Sequence, residues 1–158
     1  MTARCIELAL ERTHFPSRLW ILVPRVSWGM HVDECDLLAL SHSGFAQSVE
    51  IKVSMGDLRR EFRKRKYLFS VNPEDKWFRG RWFAVPYLMQ DKALPLIPVQ
   101  FGVFSVHESG FVERVRMPAV NKKAMRWPIE RRLALARNCM IKYWAEIAKA
   151  KEREQVTA

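Results

Sequence analysis

ECDLLALSHSGFAQSVEIK, residues Glu34 to Lys52, sets an acidic group at the mouth of one apolar run and a carboxylate and a lysine inside the next. The turn-forming "SHSG" between the runs predicts a hairpin joining "CDLLAL" to "FAQSVEIKVS". Strand side chains alternate faces, so Val49, Ile51 and Val53 point one way while Ser48, Glu50, Lys52 and Ser54 point the other. On a solvent-facing strand, a Glu/Lys alternation is ordinary surface, and an exposed ion pair contributes only about 0–1 kcal/mol. Asp36 changes that reading, because antiparallel pairing through the turn brings its carboxylate toward Glu50. Two converging carboxylates repel unless a cation lies between them, and oxygen ligands of this kind suit Mg²⁺ or Mn²⁺. A lysine about 7 Å from Glu50 along the same strand face is placed to orient an attacking water or to offset charge developing on a phosphate. This is an arrangement for phosphodiester cleavage.

Outward from this stretch the chain reads as mixed α and β. "ARCIELALER", residues 3–12, predicts a short amphipathic helix, and "LWILVP" a buried strand bounded by Arg18 and Pro24. A helix is expected from about Gly56 to Val71, with Ser54 as its N-cap and Asp57 in its first turn. "RWFAVP" and "FGVFSV" read as two more strands across the Pro-containing connection "YLMQDKALPLIP", and "GFVERVRMP" follows "HESG" as a hairpin partner. The segment from about 128 to 152 has the period and composition of a long basic helix, with Pro128 near its first turn. No internal repeat or linker interrupts the chain. The expectation is a single α/β domain, residues 1–158, whose mixed sheet is flanked by helices, with a core over about 3–118.

The charge balance bears on partners. Twenty-seven Lys and Arg against 17 Asp and Glu leave a formal +10, which favours a polyanion, nucleic acid first and an anionic membrane surface second. No apolar run approaches the roughly 20 residues of a membrane span. The charged start "MTARCIELALERTH" does not resemble a signal peptide. Three widely spaced cysteines, Cys5, Cys35 and Cys139, fit a reducing compartment better than a disulfide framework, so a cytoplasmic location is expected. His31, Cys35, Cys5 and His14 lack the paired spacing of a zinc site. The absence of a Walker loop, a G-x-S-x-G elbow and a G-x-G-x-x-G fingerprint leaves nucleotide hydrolysis, serine-hydrolase chemistry and dinucleotide binding without support.

At Asp36 in "CDLLAL" and at Glu50 and Lys52 in "VEIK", the sequence resembles the PD-(D/E)xK nuclease superfamily, the restriction-endonuclease-like fold. The nearest likeness is to small bacterial and phage members related to MmcB-type DNA repair proteins. In those, a "DLLAL" strand leads through a short turn to "VEIK", then a basic helix and a strand like "FAVP". The likeness covers about Arg18 to Pro118. It implies a divalent-metal-dependent DNA endonuclease of DNA repair, recombination or phage DNA processing that leaves 5′-phosphate ends. Asp36 and Glu50 would hold Mg²⁺ or Mn²⁺ together with the backbone carbonyl of Ile51, and Lys52 would position or activate the attacking water. A carboxylate on the first helix often assists in such nucleases, and Glu7 is the match, with Glu11 one turn later as the alternative. Glu34, on the strand face of Asp36, is an alternative ligand, with Asp33 crowding the same group. Superfamily members are often dimers, so the resemblance also allows a homodimer. The alternative function is a nuclease-fold DNA-binding protein that does not cleave efficiently.

The segment after the motif supplies the basic surface. Leu58, Phe62 and Phe69 form an apolar stripe, while Arg59, Arg60, Arg63, Lys64, Arg65 and Lys66 place six cations in eight residues. Clustered cations of this kind track a phosphate backbone and bind it in a salt-sensitive way. "KWFRGRWF" sets Arg79 and Arg81 among Trp77, Phe78, Trp82 and Phe83, aromatics divided between base stacking and the core.

Overall fold

Glycine at the tip of "SHSG" is where the expected hairpin closes. Gly44 takes φ +86°, a left-handed conformation that L side chains rarely adopt, and the Arg132 guanidinium fills the space where a Cβ would stand. The structure, a computed structural model, describes residues 1–26, 34–64 and 76–157. Its elements in chain order are α1 (Ala3–Thr13), β1 (Trp20–Val26), β2 (Cys35–Ser41), β3 (Ala46–Ile51), α2 (Met55–Lys64), β4 (Phe78–Pro86), α3 (Gln90–Ala93), β5 (Gly102–Val106), β6 (Val112–Arg116) and α4 (Ile129–Thr157). A single 3₁₀ turn, Tyr87–Met89, precedes α3.

The strands form one six-stranded mixed sheet in the order β1-β2-β3-β4-β5-β6. The β1–β2, β2–β3 and β5–β6 pairs are antiparallel, while β3–β4 and β4–β5 are parallel. Parallel neighbours need a crossover, and α2 and α3 supply the two. The Pro-containing connection "YLMQDKALPLIP" therefore holds a short helix that its sequence did not announce.

Strand alternation sorts the side chains into two layers. Leu37, Ala39, Val49, Ile51, Ala84 and Phe104 point to one face, where Ile6, Ala9 and Leu10 of α1 cover them. The residues between them point to the other face, which has two separate covers. Trp127, just ahead of α4, and Leu135 within it pack on Val23, Leu38, Leu40 and Ala46. Leu58 of α2 and Ala93 of α3 pack on Phe83, Val85 and Val103. The entry to α4 is tied to the hairpin tip: Trp127 N–H donates to Gly44 O at 2.8 Å, and Trp127 Nε1 to Trp77 O at 2.9 Å.

The aromatics of "KWFRGRWF" are mostly structural. Phe78, Trp82 and Phe83 are buried, and Trp82 stacks on Phe104 at 4.0 Å while donating to Gln47 Oε1 at 2.6 Å. That indole lies so close over Gly102 that a Cβ there would run into the ring. Gly102→Ala should therefore destabilise the fold by about 1–3 kcal/mol through overpacking, seen as a lower urea midpoint with an unchanged slope. Gly110→Ala is not its control, because Gly110 sits at φ +85°; Gly56→Ala, where the nearest atom is Ser54 Oγ at 3.8 Å, is the variant expected to stay near wild type.

Candidate active site

On the two-cover face, a polar group fills the boundary between the cluster under α4 and the cluster under α2 and α3. The β2–β3 register pairs Leu37 with Val49 and Leu38 with Ser48, so one further step sets Asp36 opposite Glu50. Asp36 Oδ2 accepts from Ile51 N–H at 2.8 Å, closing the end of the hairpin with a side chain. Lys52 follows β3 directly and continues its line, with its N–H donating to Ala84 O at 3.0 Å. The site thus stands at the carboxyl end of β3, where the chain leaves the sheet for α2.

Lys52 is the centre of the group. Its Nζ lies 3.2 Å from Glu61 Oε2, 3.3 Å from Glu50 Oε2 and 3.6 Å from Asp36 Oδ2. The Lys52, Glu50 and Glu61 side chains are 7 %, 12 % and 13 % exposed, whereas Asp36 is 40 % exposed and opens the group to solvent. Burial pulls the Lys52 ammonium toward losing its proton. The attraction of Glu50, Asp36 and Glu61 outweighs that, so the group holds its proton above the ordinary lysine range.

Glu61 is the member that sequence reading missed. Ser54 caps α2, its Oγ accepting from Asp57 N–H at 3.1 Å, and Leu58 and Phe62 turn inward onto Phe83 and its neighbours. A residue three positions after Leu58 lies on the same side of a helix, and this puts Glu61 over Lys52. The available signal was that spacing, an acid embedded beside the apolar stripe of an otherwise basic helix. The expected helix carboxylate, Glu7, has a different setting. It pairs with Arg4 at 3.1 Å on α1, whose buried residues lie on the opposite face of the sheet from Asp36 and Glu50. Glu11 accepts from Ser17 N–H at 3.2 Å and serves the loop after α1. Glu34 is exposed just ahead of β2, and Asp33 lies outside the described residues.

The basic residues divide similarly. Arg59, Arg60 and Arg63 are exposed on the side of α2 turned away from its apolar contacts. Lys64 ends the helix, and Arg65 and Lys66 fall outside the described residues. Arg79 is exposed and lies over the Phe45 ring at 4.4 Å, while Arg81, across β3–β4 from Ser48, lies over Phe78 at 5.3 Å. Aromatic surface at the carboxyl ends of β4 and β5 comes from other residues: Tyr87 stacks on His107 at 4.1 Å, and Phe111 stands beyond it at 5.4 Å.

Among the described residues, no group of three or more His, Cys, Asp and Glu side chains closes into a ready metal cage, since the carboxylates here converge on an ammonium. Their chemistry nonetheless suits a hard divalent cation. Three carboxylates against one ammonium leave an excess of two negative charges, all on oxygen, with Asp36 facing solvent. The N–H and C=O of one strand residue face the same neighbouring strand, so the Ile51 carbonyl is turned to the flank where its N–H meets Asp36.

No family model matches the chain, and no curated protein matches it. Among solved structures it is similar to the SPO1766 protein of unknown function from Silicibacter pomeroyi, with 17 % identity, a TM-score of 0.64, and coverage of 98 % of this chain and 94 % of that one. That likeness carries the α/β fold, the helix-flanked mixed sheet, across nearly the whole of both chains. No helix among the described residues is long and apolar enough to cross a membrane.

Removing the ammonium leaves buried carboxylates facing one another, so Lys52→Met should lower stability at neutral pH by about 3–5 kcal/mol. The raised Lys52 pKa fixes the pH dependence of that gap. The contribution is fully present below the ordinary lysine value of about 10.4 and is lost as pH rises through the higher folded value. Urea midpoints of wild type and Lys52→Met should stay apart by a constant amount from pH 7 to pH 9 and converge only in stronger alkali.

Proposed function

We propose that the protein is a divalent-metal-dependent phosphodiesterase acting on DNA, with the restriction-endonuclease-like organisation of the PD-(D/E)xK nucleases. The observation that carries this reading is the gathering of Asp36, Glu50 and Glu61 around the Lys52 ammonium at the end of a parallel strand. Ligand sites in open α/β sheets lie at such carboxyl ends. Asp36 and Glu50, with the Ile51 carbonyl, are the groups to hold Mg²⁺ or Mn²⁺, and Glu61 takes the place expected for Glu7. When bound, the ion would polarise the scissile phosphate and offset charge on the leaving oxygen.

The chain's own residues have separate tasks. Lys52, whose ammonium lies 3.2 Å from Glu61 Oε2 and 3.3 Å from Glu50 Oε2, orients the attacking water and balances phosphate charge. Proton acceptance then falls to a carboxylate, and Glu61, 3.2 Å from Lys52 Nζ, is placed for it. Arg59, Arg60 and Arg63 are exposed on the helix that carries Glu61 and offer phosphate contacts to a DNA backbone. Lys64, Lys66, Arg79 and Arg81 extend the same basic character along the sequence.

The test is cleavage of plasmid, single-stranded and branched DNA with Mg²⁺ or Mn²⁺, beside EDTA. Asp36→Asn, Glu50→Gln and Lys52→Ala should each slow cleavage by about 100-fold or more, and Glu61→Gln should do so while Glu7→Gln does not. DNA binding without metal-dependent cutting of any substrate would replace this reading with that of a nuclease-fold binding protein. A second measurement concerns the basic surface. Arg59→Ala, Arg60→Ala and Arg63→Ala combined should weaken DNA binding and flatten the log K against log salt slope by about 0.9 for each phosphate that is no longer neutralised.

A further inference from the structure

The outer side of α4 has no role in the fold described above. The helix is 29 residues long, about 43 Å at 1.5 Å per residue. Leu135, Cys139, Lys142 and Glu146 face the sheet side: Leu135 is buried, Cys139 Sγ meets Leu22 O at 3.7 Å, Lys142 Nζ donates to Pro24 O at 2.7 Å, and Glu146 pairs with Arg25 at 3.8 Å. One residue on, about 100° round the helix, a second series runs Ile129, Leu133, Ala136, Met140, Tyr143, Ile147 and Ala150. Its steps alternate between four and three, the heptad spacing of a coiled-coil seam. Ile129, Leu133, Met140, Tyr143, Ile147 and the adjacent Trp144 are between 40 % and 61 % exposed, an apolar stripe on an otherwise charged surface.

We propose that this seam is a self-association surface, and that two copies of the chain pair through antiparallel α4 helices. The order of side chains supports this partner. With Met140 of one copy level with Tyr143 of the other, Leu133 meets Ala150 and Ala136 meets Ile147, so each alanine faces a large aliphatic residue. The same alignment sets Glu130 against Lys151 and Arg137 against Trp144, an ion pair and a cation–π contact, each made twice by the two-fold symmetry. A parallel alignment instead sets alanine against alanine. Leu133, Met140, Tyr143, Trp144 and Ile147 lie within the overlap, and at roughly 100 Å² each they give on the order of 500 Å² per copy, near the total of about 1,000 Å² that a specific interface needs. Because each chain carries +10, salt that screens their mutual repulsion strengthens this association, the reverse of its effect on DNA binding.

Sedimentation equilibrium of the full chain tests it. The wild type should have twice the mass of one chain at micromolar concentration, and more completely so at high than at low salt. Met140→Glu/Ile147→Glu should be monomeric, with its helical circular dichroism signal and thermal transition retained, since both positions lie on the exposed side. Glu130→Lys should weaken the dimer by about tenfold or more, and adding Lys151→Glu should restore it, which no loss of folding would imitate. A wild type that stays monomeric at high micromolar concentration overturns the proposal. So does a seam variant that remains dimeric, or a monomeric wild type whose seam instead drives binding to phosphatidylserine vesicles. None of these outcomes depends on whether the chain cuts DNA.

Discussion

A lysine ammonium withdrawn from water has to be repaid in counter-charge, and Lys52 draws that charge from three separate elements: Asp36 on β2, Glu50 on β3 and Glu61 on α2. The requirement couples pieces of structure that apolar packing alone would leave adjustable. Asp36 can reach the ammonium only if the β2–β3 register is held, and the bond from Ile51 N–H to Asp36 holds its end. Glu61 can reach it only if α2 lies with Leu58 against the sheet. The cluster is therefore a constraint on register and on helix placement as much as a local network of charges.

Its position follows from how the sheet is covered. One face is closed by α1 over a continuous apolar layer, and the other is shared by α4 at the β1–β3 end and by α2 and α3 at the β4–β5 end. Where the two covers meet, the strands carry Ser48, Glu50 and Lys52, each buried. A polar row at this boundary displaces less apolar packing than one beneath either cover, and its Asp36 side remains open to solvent. The same helix that supplies Glu61 from one side presents Arg59, Arg60 and Arg63 on the other. The two opposite charges stay separate because the body of α2 and its apolar contacts lie between them.

Much of the architecture was legible in the chain. Period-two patterning in "CDLLAL" and "FAQSVEIKVS" with a glycine-containing turn gave the hairpin, and the elements from "RWFAVP" to "GFVERVRMP" appeared in the order read. Asp36, Glu50 and Lys52 came together because hairpin register is local: a short turn and strand alternation fix which side chains meet. The helix α3 was not read, since four residues inside a proline-flanked connection have no period to detect. The aromatics of "KWFRGRWF" are mainly core, because β4 begins at Phe78 and runs through the centre of the sheet.

The sequence by itself determined the α/β class, the acidic hairpin with its lysine, and the basic character of the helix that follows, because each rests on neighbours in the chain or on composition. Only the tertiary structure decided which helix completes the site. Glu7 and Glu61 are both helix carboxylates within one turn of buried apolar residues, and nothing local distinguishes them. The difference is which face of the sheet each helix covers. Strand parity ranges α1 against Val49 and Ile51 and turns α2 toward the side of Glu50 and Lys52, so crossover placement, a property of the whole sheet, selects Glu61.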